Sequence, residues 1–153
     1  MARDDSGWTL IELLLIILLI GILSAIALPI LHSQTQKAQT AAGAVDLRNT
    51  ATAMETYFSD SQSYGSAAQL TTAGMAPTVS KGTIVVIVQR TTSGYCLAAL
   101  RNTTMATTTA ELQSKAVRWL DSVAGGLLPK TATGCPTTTG YSASWTTDTI
   151  VGP

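Results

Sequence analysis

From Leu13 to Leu31 the chain reads LLLIILLIGILSAIALPIL without one charge, and no other feature constrains its fold as strongly. A helix needs roughly 20 apolar residues to cross a hydrocarbon core of about 30 Å, so the segment is predicted to be a membrane-spanning helix. An ordinary secretory signal has a shorter apolar run and a small-residue cleavage site close behind it, and this stretch fits neither criterion. At the edge of the run stands Glu12. A carboxylate deep in hydrocarbon costs about 2.5–3.5 kcal/mol on insertion scales, although one near a helix end can reach the headgroups. Two readings follow. Glu12 is a boundary residue that snorkels, or it is a carboxylate whose cationic partner arrives only on assembly.

The remaining composition narrows the function class. Lys+Arg and Asp+Glu are both 9, so the net charge points to neither nucleic acid nor an acidic partner. A single His and the lack of a Ser/His/Asp constellation, a Gly-rich phosphate loop or paired catalytic carboxylates give no indication of an enzyme, and no cofactor is called for. Cys96 and Cys135 fall in the region that the anchor places outside the cytoplasm, where a disulfide is the default. Two thiols and the lone His32 are too few for a zinc site, and Asp121 and Asp148 stand apart, so no metal is expected.

Beyond Leu31 the sequence turns polar while keeping a helical period. Ala44, Leu47, Ala51, Met54 and Phe58 recur at spacings of three and four, with Lys37, Asp46, Arg48 and Glu55 assigned to the opposite face. No proline lies between Pro29 and Pro77, so one helix is predicted from Trp8 to about Ser59, roughly 75 Å at 1.5 Å per residue. Ser61–Thr83 reads as a loop. GTIVVIVQR and YCLAALR, joined by TTSG, read as an antiparallel hairpin that packs Ile84, Val86 and Val88, or their alternates, against the helix stripe. Residues 107–124 admit both a helix, with Thr108 and Glu111 as a capping box, and a strand at about Lys115–Leu120. A last strand is placed around Ser142–Thr147. The fold class is α+β.

The opening stretch, SG followed by WTLIELLLIILLIGILSAIALPIL, resembles the N-terminus of type IV pilins and their relatives. The likeness rests on Gly7, Trp8, Thr9, Leu10, Ile11 and Glu12, and extends through Gly21 and Pro29. It departs from the family in carrying Trp8 where Phe is usual, and in a leader whose one Arg3 is offset by Asp4 and Asp5. The resemblance implies the type IV pilin fold, a long N-terminal helical spine with a small antiparallel β-sheet head. It divides the chain into a removed leader (1–7), a transmembrane and filament-core half of the helix (8–31), an amphipathic half (32–59) and a globular head (60–153). It further implies cleavage by a prepilin peptidase between Gly7 and Trp8, and methylation of the new amine of Trp8. That amine is then the cation for Glu12 of a neighbouring subunit. Breaking such a pair inside a bundle costs about 3–5 kcal/mol, which sets the register together with Thr9. Gly21 and Pro29 bound a stretch that can lose helicity on assembly, and Cys96–Cys135 staples the C-terminal region to the sheet.

The function implied is a structural subunit of a type IV pilus, a homopolymer drawn from the bacterial inner membrane to the cell exterior. Its partners are an inner-membrane assembly platform with cytoplasmic ATPases, and no small-molecule substrate is implied. Retractable filaments of this kind serve adhesion, twitching motility or DNA uptake. The alternatives are a pseudopilin of a type II secretion system, a minor pilin, or a membrane-anchored binding domain that never polymerises.

Overall fold

The computed structural model describes residues 9–101, 109–129, 131–135 and 148–152. Two compact units are present, Met1–Lys37 and Ala38–Pro153, joined through one helix. That helix, α1 (Leu10–Ser61), runs 52 residues with Pro29 inside it. It starts where Thr9 supplies a hydroxyl cap, the Glu12 N–H donating to Thr9 Oγ1 at 3.3 Å. It stops at Gln62, whose backbone turns left-handed at φ 52°, and whose side-chain amide donates to the last-turn carbonyls of Phe58 and Ser59.

Among the described residues of the first unit, the helix is the sole element. The spanning criteria of length and apolarity are met, and none of the apolar window is buried.

The second unit is a five-stranded antiparallel sheet in the order β4-β3-β2-β1-β5, covered by the second half of α1. The strands are β1 (Thr83–Arg90), β2 (Tyr95–Arg101), β3 (Ala116–Asp121), β4 (Gly126–Leu127) and β5 (Thr149–Val151). The β1–β2 hairpin closes on Thr91, whose N–H donates to the Gly94 carbonyl while its hydroxyl accepts from the Ser93 and Gly94 amides. Between β3 and β4, buried Asp121 accepts from the Val123 and Ala124 amides, and Gly125 and Gly126 take the positive φ that the turn demands.

Every residue of β1 from Thr83 to Val88 is buried, because both faces of the sheet are covered. Toward α1 lie Val85, Ile87, Tyr95, Leu97, Ala99 and Leu120, packed on Leu47 and Met54. On the far face Ile84, Val86, Val88, Ala98, Leu100 and Trp119 pack with Leu112, Leu128 and the Cys96–Cys135 disulfide. The alternates to Ile84, Val86 and Val88 therefore meet the helix, while those three build a second apolar layer.

Two expectations need correction, on the loop and on Asp46. The predicted loop contains α2 (Ala67–Thr72), opened by Ser66 and Gln69, which cap one another reciprocally. Asp46, assigned to the polar face, is 1% exposed. One Asp46 carboxylate oxygen accepts from the Ser80 amide at 3.1 Å and the Ser80 hydroxyl at 2.8 Å, tying the approach to β1 onto α1. Residues 109–121 hold both a helix, α3 (Thr109–Lys115), and a strand, and the strand begins at Ala116 rather than Lys115. The chain returns to the sheet at Thr149–Val151; the predicted strand at Ser142–Thr147 lies outside the described residues, as does Thr108.

Candidate functional site

Fifteen large apolar side chains between Leu10 and Leu31 are each more than half exposed. Covering one fully is worth about 1.5–3 kcal/mol, so this surface demands lipid or another protein. One face of it is shaped. Leu14, Ile17, Leu18, Gly21, Ile22 and Ala25, which recur on one face of the helix, line an open apolar groove of about 510 Å³. Gly21 forms its floor, with no atom within 4 Å of where a Cβ would sit. Gly21 and Ala25, four apart, make a small-xxx-small pair of the kind that lets two helices approach closely in a membrane. The sequence reading treated Gly21 only as a weak point in the helix. The signal it passed over was Ala25.

Thr9 and Glu12 come together in the first turn of α1. The Thr9 hydroxyl donates to Glu12 Oε2 at 3.5 Å, while the Glu12 amide donates to Thr9 Oγ1. This is half of a Thr-x-x-Glu capping box, and an acid in a first turn is favoured by the helix dipole. Glu12 thus has a local structural task in the single chain, which charge considerations alone did not reveal. Gly7 and Trp8 lie outside the described residues. Gly21 and Pro29 both sit within continuous helix.

In the second unit the two cysteines are joined, 39 residues apart, with Cys96 fully buried and Cys135 nearly so. At Gly43 α1 lies close on the sheet: a Cβ there would lie 3.1 Å from the Ala99 Cβ and 3.2 Å from Val117 Cγ2. Tyr95, edge-on to Tyr64, donates to the Ala51 carbonyl at 3.4 Å. Burial pushes its hydroxyl pKa well above the ordinary tyrosine value, with a further rise from the Glu55 carboxylate. Tyr64 is raised for the same reasons, burial first. His32 is exposed and bonded to Gln36, and Asp148 pairs with Arg90 at 3.2 Å. Among the described residues no group of three or more His, Cys, Asp or Glu side chains is placed to hold a metal ion.

A long N-terminal helix with a small antiparallel sheet is the architecture of the type IV pilin fold. Among characterised proteins the chain is similar to the type II secretion system core protein G of Pseudomonas aeruginosa. The two are 33% identical over 67 residues, 44% of this chain and 47% of that protein, so the chain covers about half the length of its relative. No protein-family profile matches the chain.

Proposed function

We propose that the chain is the subunit of a type IV pilus, polymerised from the inner membrane through the first half of α1. The carrying observation is the unburied apolar helix with a groove floored by Gly21 and Ala25, a surface suited to the same helix in a neighbouring copy. Cleavage between Gly7 and Trp8 removes Arg3, Asp4 and Asp5 and exposes an amine at the edge of the apolar segment. Glu12 of an adjoining subunit meets that amine and penalises every other axial stagger. Gly21 and Pro29 bound the stretch that loosens in the assembled fibre, giving it extensibility. Before assembly the subunit waits in the membrane, where prepilin peptidase and the assembly platform act on it.

A second reading has its own support. Likeness to a type II secretion core protein favours a pseudopilin, a short periplasmic filament of the same architecture, as much as a pilus. The Cys96–Cys135 staple is the feature that inclines us to the pilus.

The test is Glu12→Gln in the full chain, expressed with a prepilin peptidase and an assembly platform. Gln also occupies the third position of capping boxes, so the substitution removes the charge and spares the helix start, which Ala would not. Mass spectrometry should find a mature N-terminus at methylated Trp8, together with a large loss of sheared filament. Normal filament yield from Glu12→Gln would remove the pairing, and an intact Met1 leader on the wild-type chain would remove the family reading. Filament recovered from the cell surface supports the pilus, and filament confined to the periplasm supports the pseudopilin.

A further inference from the structure

Three cations come together where β2 ends and β3 begins. Arg101 closes β2, and Ala99, two residues before it, faces α1 at Gly43. Residues two apart on a strand share a face, so Arg101 lies on the α1 side of the sheet. Arg118 is the direct partner of Ala99 and shares that side, a diagonal neighbour of Arg101 across roughly 7–8 Å. Ala99 pairs with Arg118 and Leu100 with Ala116, which leaves Val117 as an extra residue in β3. A bulge of this kind bends its strand and re-aims the side chains around it. Beside it Arg101, Ser114, Lys115, Ala116 and Val117 line an open recess of about 350 Å³.

These cations are short of acceptors. The Nε of Arg101 and that of Arg118 are both buried without a hydrogen-bond partner, and among the described residues neither side chain is in an ion pair. Arg90, by contrast, is held by Asp148 and by the Tyr64 carbonyl. Lys115 has Glu111 at 4.0 Å, beyond hydrogen-bond range. A guanidinium that has given up water at Nε and gained no acceptor is destabilising, and two of them on one face also repel each other. Three cations less the Glu111 carboxylate leave two net positive charges. A carboxylate would bring one charge and two oxygens. A phosphate with three terminal oxygens brings up to two charges and one oxygen for each cationic group. The recess is at the small end of ligand-site volumes, suited to one such group rather than to a polymer.

We propose that Arg101, Lys115 and Arg118 form a phosphate site, which takes inorganic phosphate or the phosphomonoester of a headgroup. The two arginines supply planar donor forks and Lys115 a point charge, while Glu111 competes for Lys115 and limits affinity. The site draws on the second unit alone and is independent of the filament reading.

The test uses the full chain in maltoside micelles, which carry no phosphate of their own, with inorganic phosphate as the probe. In nuclear magnetic resonance spectra the Nε–H signals of Arg101 and Arg118 should shift saturably as phosphate is raised, while that of exposed Arg48 stays put. Arg101→Gln and Arg118→Gln should each weaken binding about tenfold. Lys115→Gln should weaken it severalfold, and Glu111→Gln should tighten it severalfold, a gain that a merely structural role would not produce. Lys115 and Glu111 are well exposed, so these two variants decide the matter even where an arginine variant melts early. Phosphatidic acid mixed into the micelles separates the two sources. A headgroup ligand shifts the arginine signals before any phosphate is added and competes the titration away; a free-phosphate site titrates as before. Either outcome supports the site and names its ligand. No saturable shift with either probe overturns it, as does an affinity unchanged in both Lys115→Gln and Glu111→Gln.

Discussion

Replacing Cys96 and Cys135 together by Ala probes how far the second unit depends on its staple. The bond closes 39 residues, and the chain-entropy relation gives about 4 kcal/mol for a loop of that size. For a unit of roughly 115 residues, with an unfolding entropy of about 2.1 cal/mol/K per residue, this corresponds to a fall in melting temperature of roughly 16 °C. Alanine is the right replacement because both sulfurs lie in the apolar layer with Trp119 and Leu128, where a serine hydroxyl would add its own desolvation penalty. The measurement is thermal unfolding of the full chain in detergent, followed by circular dichroism in the sheet region, with and without reductant. Wild-type protein should fall toward the variant on reduction, and the variant should be indifferent to reductant. A double variant melting within about 3 °C of wild type would refute the reasoning, since it would mean that the loop is already constrained without the bond.

Gly43→Val should destabilise the second unit by about 1–3 kcal/mol, because the approach to Ala99 and Val117 leaves no room for a branched side chain; denaturant titration reads this as a lower midpoint at constant slope. Leu47→Ala removes a fully buried side chain between helix and sheet and should cost about 2–5 kcal/mol by the same assay. Tyr95 makes stability fall at high pH: its raised pKa means that the folded head holds a proton the unfolded chain releases, so the contribution is complete below about pH 10 and declines above it. Tyr95→Phe should flatten that decline in melts run between pH 8 and 11.5, and an unchanged slope would assign it elsewhere.

The anchor and the hairpin were legible because each rests on local periodicity. Nineteen uncharged apolar-rich residues point to a spanning or buried helix, and a β-branched run before TTSG with an apolar run after it points to a hairpin. What escaped was decided at a distance. Asp46 carries every mark of a surface residue, and its burial depends on Ser80, 34 positions away. The unbroken burial of β1 depends on what covers its second face, and Leu112, Leu128 and Cys135 come from three separate segments. Helix α2 is a different case: Ser66 and Gln69 spell a capping box in plain view, and the polar composition around them hid it. At the candidate site, the apolar run announced a surface needing cover. The groove at Gly21 and Ala25 became apparent only once the side chains around it were in place.

Only one of the sheet's two apolar layers touches α1. Tension along that helix would therefore shear the Leu47–Met54 side and leave the opposite side, closed by a covalent cross-link, unloaded. The strands hang beside the spine instead of lying in series with it. Force along α1 is thus carried past the sheet and not through it, and the cross-linked layer keeps its shape.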